Sequence, residues 1–173
     1  MPEYKIDNVD FFADANKTEP QRTDMEAYLI DGKPAFTTAI KGVYPEVTIK
    51  NPSALGYQFV PVDHNIIIRR VNGDLEKSCD GMLYYGRDRR NIFFIELKDR
   101  SSNWINDAVE QLERTISIFN AKYLPASFGK KRAYAANRQH LSYHNSSSYR
   151  ELSDTFRNKN HFGLCICGII DIR

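Results

Sequence analysis

Between residues 64 and 136 the order of apolar and polar positions spells strands, turns and one long helix. His64 to Val71 (HNIIIRRV) reads as a strand, and Asn72-Gly73-Asp74 after it is a hairpin turn signal. A second strand runs within 75–85, most clearly over Cys79–Tyr85, and a third over Ile92–Leu97. Between these two lies GRDRRN, punctuated by Gly86 and Asn91. Three consecutive strands on short turns predict an antiparallel meander. Trp104, Ala108, Leu112, Ile116 and Phe119 then recur at helical spacing, with Ser101, Ser102 and Asn103 as N-cap candidates and Asp107 near the first turn. Pro125 and Gly129 close the helix. Lys130-Lys131-Arg132 leads into the short strand Ala133–Ala136, expected parallel to an earlier strand because it follows a crossover helix.

The flanks carry weaker patterns. Residues 1 to about 22 read as an arm or short helix containing Phe11-Phe12, and Thr23-Asp24-Met25-Glu26 as a capping box for a helix through Leu29 that Asp31-Gly32-Lys33-Pro34 stops. Residues 35–62, with Pro45, Pro52 and Pro61, read as loops and short strands, one of them Glu46 to Ile49. Residues 137–149 are a polar loop in which Arg138, His140, Tyr143, His144 and Asn145 interleave charge with aromatic rings. A helix over about 148–158 and a continuous apolar run from Phe162 to Ile172, the pattern of a strand covered on both faces, complete the chain.

Composition fits this picture. A length of 173 residues, 42% hydrophobic and 27% charged, suits one domain with a sizeable core (1–173, its catalytic motif within 64–136). No apolar run approaches membrane-spanning length and the N-terminus lacks the pattern of a secretory signal, so a cytoplasmic protein without membrane contact is expected. Three cysteines, Cys79, Cys165 and Cys167, are few and odd in number, as for reduced thiols; Cys165 and Cys167 with His140 and His144 make a poor zinc pattern. Charge is uneven. Residues 1–63 carry six basic and ten acidic side chains, residues 64–173 eighteen and twelve, which suits a domain presenting one face to a polyanion.

The candidate chemistry lies in the predicted second and third strands. Glu96 and Lys98, two apart on a strand, emerge on one face, and hairpin pairing brings Asp80 beside them. Two close carboxylates each disfavour the other's ionisation, and a divalent cation relieves this. Oxygen ligands without His or Cys suit Mg²⁺ or Mn²⁺. A cation held there with a lysine beside it fits phosphodiester hydrolysis. Glu-x-Lys is common by itself: Glu3-Tyr4-Lys5 and the related Asp31-Gly32-Lys33 lack the context of an apolar strand paired with an acid-bearing one. Gln111, on the apolar stripe of the helix, is placed to support the site. Arg87, Arg89, Arg90, Lys130, Lys131, Arg132 and Arg138 are the candidate contacts to nucleic acid.

Asp80, Glu96-Leu97-Lys98 and Gln111 together resemble the PD-(D/E)XK nuclease superfamily, with Cys79 standing where its motif has proline. The resemblance implies an α/β fold with an αβββαβ, restriction-endonuclease-like core, a mixed central sheet flanked by helices. It implies a Mg²⁺- or Mn²⁺-dependent endonuclease acting on DNA rather than RNA, in restriction, repair or phage defence, with two copies pairing. Asp80 and Glu96 would hold metal, Lys98 would assist the attacking water and Gln111 would be auxiliary. A further acid is expected upstream, with Glu26 and Glu46 as the candidates. A catalytically inactive module of the same fold that binds nucleic acid or a protein is the alternative.

Overall fold

A computed structural model describes residues 4–42, 47–139 and 146–173. The chain order is β1 (Glu26–Ile30), β2 (Phe36–Thr38), β3 (Val47–Lys50), β4 (Tyr57–Pro61), β5 (Gly81–Tyr85), β6 (Asn91–Lys98), α1 (Ile105–Lys122), β7 (Lys131–Asn137), α2 (Ser147–Asn160), β8 (Gly163–Ile166) and β9 (Ile169–Asp171). Short 3₁₀ turns occupy Asp14–Asn16, Arg87–Arg89 and Pro125–Ser127. The strands form two mixed sheets, ordered β2-β1-β3-β9 and β4-β5-β6-β7-β8.

Alternation along β6 explains the layering. Phe93, Ile95 and Leu97 point into a core shared with Ala27, Leu29, Val47 and Ile49 of the smaller sheet. Ile92 and Phe94 point the other way, into a core with Leu112, Ile116 and Phe119 of α1 and Phe156 of α2. Phe11 and Phe12 of the N-terminal arm complete this second core. The larger sheet is thus covered by both helices on one face and by the second sheet on the other, rather than flanked by helices on both. An eight-residue central strand buried on both faces is what a near-continuous apolar run buys at the middle of a sheet.

The meander and the crossover form as the pattern predicts. β4, β5 and β6 are antiparallel neighbours, and β7 lies parallel to β6 after α1. The first strand of the meander differs. Residues 57–61 take that place, and 64–71 lie outside both sheets. Ile66 and Ile68 are buried and Ile67 is exposed, so the alternation is real, but the hydrogen-bonding edge of β5 is already filled by β4. The Asn72-Gly73 turn also forms: Gly73 has φ +95°, and Arg70 N–H donates to the Asp74 carbonyl at 2.9 Å. This small hairpin folds onto the N-terminal arm, bridging Arg70 to Tyr4.

Three other segments depart from the pattern. The expected helix over 23–29 is β1, which pairs with β2 on one side and β3 on the other. Ala27, Tyr28 and Leu29 are buried in succession, and burial on two faces overrides the capping signal. The apolar run 162–172 divides at Cys167-Gly168: β8 joins the larger sheet beside β7 and β9 joins the smaller beside β3. At α1 the N-cap position is Trp104 without a side-chain cap, not Ser101, Ser102 or Asn103. Glycine matters most at Gly81, where a Cβ would lie 2.2 Å from the Phe59 ring. Gly81→Ala is expected to cost about 1–3 kcal/mol through overpacking, readable as a lower urea midpoint with unchanged slope.

Candidate functional site

The pairing of Gly81 with Ile95 sets Asp80, one residue earlier, beside Glu96, one residue later. Asp80 is fixed at both its backbone and its side chain. Its carbonyl accepts the Val62 N–H at 2.9 Å, and its Oδ2 accepts the Leu97 N–H at 2.6 Å. Glu96 and Lys98 share the helix-facing side of β6 with Phe94. Lys98 Nζ lies 2.7 Å from Glu96 Oε1 and 3.4 Å from Asp107 Oδ2 on α1, and Arg100 Nη1 lies 3.2 Å from the same Asp107 oxygen. The side chains of Glu96 and Lys98 are only 4% and 10% exposed.

One oxygen of this cluster is unmatched. Glu96 Oε2 is buried without a hydrogen-bond partner. Burial pushes the Glu96 carboxyl well up, the Asp80 charge pushes it further, and Lys98 opposes both. Asp80 is itself pushed up to about 6, first by burial, against the Leu97 N–H, and with help from the Asp31 charge. Burial pulls the Lys98 ammonium down, but Glu96 and then Asp107 outweigh it and raise its pKa, so Lys98 is cationic at neutral pH.

Asp31 belongs to this electrostatic environment. It follows β1 at the end of the smaller sheet, and its carboxyl is raised by the chain shielding one side of it and pulled down by Lys98 and Arg138. The sequence held a signal for it. Ala27-Tyr28-Leu29-Ile30 followed by Asp31 is an apolar strand ending in an acid, the same grammar as Glu96, hidden because that run resembles a capped helix. Glu26, at the far end of β1, pairs instead with Lys50 at 3.4 Å. Glu46 lies outside the described residues, as do His140, Tyr143, His144 and Asn145.

The helix contributes other residues than the one expected. Gln111 is half-buried on α1, and its hydrogen bond is a backbone one, its carbonyl accepting the Thr115 hydroxyl at 3.0 Å. Thr115 in turn accepts the Cys79 N–H at 2.8 Å, tying α1 to the residue before Asp80. Asp107 is the α1 side chain that reaches Lys98.

The basic candidates mostly lie elsewhere. Arg138 sits at the acid end: its N–H donates to the Lys98 carbonyl at 2.9 Å and its guanidinium pairs with Asp99. Arg87, Arg89, Arg90, Lys130, Lys131 and Arg132 are at the opposite end of β5, β6 and β7, since Lys131 pairs with Ile92 and Glu96 with Ala135. Four residues of strand put ~13 Å between those levels. Arg89 is taken up by packing, with its guanidinium 4.6 Å from the centre of the Phe12 ring.

Asp80 and Glu96 are the side chains that could hold a cation here; among the described residues no group of three or more His, Cys, Asp or Glu side chains is gathered as a metal cage. Among the described residues no helix is long and apolar enough to cross a membrane. No protein-family model matches the chain, and neither a curated protein nor a solved structure matches it.

Proposed function

We propose that this protein is a Mg²⁺- or Mn²⁺-dependent nuclease of the PD-(D/E)XK kind acting on DNA, with Asp80, Glu96 and Lys98 at its centre. The observation that carries this is the buried, partnerless Glu96 Oε2 beside the Asp80 carboxyl, with one lysine on the far oxygen of Glu96. Two buried carboxylates facing a single ammonium are one positive charge short, and uncompensated buried charge is costly. A divalent cation supplies that charge. The donors are hard oxygens alone, and Mg²⁺ typically takes one or two carboxylates and fills the rest of its shell with water and phosphate. Two acids are therefore a sufficient protein contribution, and Asp31 stands near enough to add to the field.

When bound, such a cation supplies Lewis-acid stabilisation of the charge on a phosphate. The remaining work falls to the chain. Lys98 is held as an ammonium by Glu96 and Asp107, so its role is donation and charge, not proton abstraction. Of its three N–H donors two face these carboxylates, leaving one for a phosphate oxygen or a water. Asp107, which also pairs with Arg100, positions Lys98 and takes the place on α1 expected of Gln111. Asp80 Oδ2 is committed to the Leu97 N–H, which orients its other oxygen.

The order β4-β5-β6, α1, β7 supports the same reading. It has an acid before the middle strand of the meander and Glu-x-Lys at the end of the third, followed by a helix and a parallel strand. The αβββαβ order also asks for a helix before the meander; among the described residues that part of the chain is β1, β2 and β3.

The test is incubation with supercoiled plasmid, linear duplex, single-stranded DNA and RNA, with Mg²⁺, Mn²⁺ or EDTA. Metal-dependent cleavage of DNA is expected, lowered about a hundredfold or more by Glu96→Gln and by Lys98→Ala. Cleavage that survives both substitutions together sinks the assignment. Absence of cleavage, together with no Mg²⁺ or Mn²⁺ binding by calorimetry, leaves the non-catalytic binding module.

A further inference from the structure

Basic residues from separate runs of the sequence meet at the pole opposite the acids. The Gly129 N–H donates to the Arg90 carbonyl at 2.7 Å, and the Lys130 N–H donates to Asn91 Oδ1 at 3.2 Å. These bonds clamp the β5–β6 turn to the loop entering β7 and leave two clefts that share Gly129. One, of about 360 Å³, has Arg87, Asp88 and Arg90 on its walls. The other, of about 220 Å³, is walled by Lys130, Lys131, Arg132, Arg157 and His161, with no carboxylate among its lining residues.

The charges in the second cleft are held in place. Lys131 donates to the backbone carbonyl of Pro125 at 2.8 Å, and Lys130 Nζ lies 3.3 Å from the main-chain oxygen of Arg173. Among the described residues Arg132 and Arg157 form no ion pair. Arg132 lies flat against Gly163, where a Cβ would stand 2.3 Å from its Nη1, so the absent side chain makes room for the guanidinium. Lys131, Arg132 and Arg157 thus stand beside one another with no acidic side chain lining the cleft, a concentration of positive charge that suits an anionic ligand.

We infer that these adjoining clefts are a second phosphate-binding surface, which holds the backbone of a nucleic acid at a distance from the acid site. The partner class rests on the proposed nuclease reading; the surface itself does not. Arg and Lys clusters suit phosphate oxygens, and phosphates repeat every ~3.4 Å of axis along each strand of a duplex, so neighbouring groups can fill neighbouring clefts. With ~13 Å of strand between the level of Lys131 and that of Glu96, a bound duplex reaches both ends of β6 within roughly four base pairs.

The experiment measures binding of a labelled duplex of about 20 base pairs by fluorescence anisotropy, in EDTA, over a series of salt concentrations. Arg132→Gln with Arg157→Gln is expected to weaken binding roughly tenfold near 0.1 M salt and to flatten the slope of log affinity against log salt by about 2. Lys41→Gln with Lys77→Gln, the same charge change outside both clefts, is expected to leave the slope as in the unmodified protein. Equal slopes for all three proteins, or equal losses in both double variants, overturn the inference. Should the first variant fold poorly, Arg157→Gln alone, exposed on α2, is expected to lower the slope by about 1, and an unchanged slope overturns the inference equally. EDTA separates this test from cleavage: a protein that cuts but keeps its slope refutes the surface alone, and one that loses slope but never cuts refutes the nuclease alone.

Discussion

Asp80→Asn is expected to make the metal-free protein more stable at pH 8, by about 3 kcal/mol. The folded protein holds the Asp80 carboxyl at about 6, chiefly through burial, against an ordinary value of 3.8. A carboxyl whose folded pKa is raised favours folding while protonated. That contribution is fully present below the unfolded value and is lost as pH rises through about 6. At pH 8 the ionised carboxylate therefore burdens the fold by about two pKa units, each about 1.4 kcal/mol. Asparagine removes the charge, and its side-chain oxygen can still accept the Leu97 N–H. Urea denaturation in EDTA reads the effect: the gain should be largest above pH 6, shrink as pH falls through that value, and vanish below about 3.8. A destabilised Asp80→Asn at pH 8 would mean that groups already in the protein satisfy the carboxylate. Added Mg²⁺ extends the comparison, because a ligand that binds only the folded state stabilises it. The unmodified protein should then recover stability that Asp80→Asn does not.

Phe94→Ala carries the largest expected loss, about 3–5 kcal/mol. Phe94 is fully buried two residues before Glu96, on the same face of β6. Its ring meets Phe119 at 5.2 Å, Phe162 at 5.6 Å and Phe11 at 6.0 Å between centroids, all at steep edge-to-face angles. These partners come from α1, the segment before β8 and the N-terminal arm, so no single element can close the cavity by moving. Collapse is blocked on three sides, which places the cost toward the upper end of its range. The readout is the urea midpoint at constant slope. For a domain with an overall stability of order 5–15 kcal/mol, such a loss removes between about a fifth and all of it. A cost below about 1 kcal/mol would show that the helix layer is loosely packed against the sheet.

The Asp80, Glu96 and Lys98 triad was legible in the sequence because it depends on local rules. Side chains two apart on a strand share a face, and a short turn between two strands forces them to pair. The same logic failed for Asp31, whose approach to Lys98 depends on where a second sheet lands, something no local period encodes. Gln111 lies on the correct helix, but the rotation of α1 over the sheet turns Asp107 and Thr115 to the neighbourhood of the site. The basic residues illustrate the limit most sharply. Their number was plain from composition, yet only the parallel register of β7 with β6 sent most of them to the end away from the acids.

By itself, then, the amino-acid order determined the meander's later strands, the long amphipathic helix, the parallel strand after it and the meeting of Glu96 and Lys98 at the end of β6 with Asp80 before β5. It did so because periodicity, turn residues and apolar runs act over a few positions. Tertiary structure alone decided that residues 57–61 rather than 64–71 complete the meander, that 26–30 is a strand, and that the last apolar run is shared between two sheets. In each case several segments could satisfy the same local pattern. Competition for a single sheet edge, or for burial on two faces, chose among them.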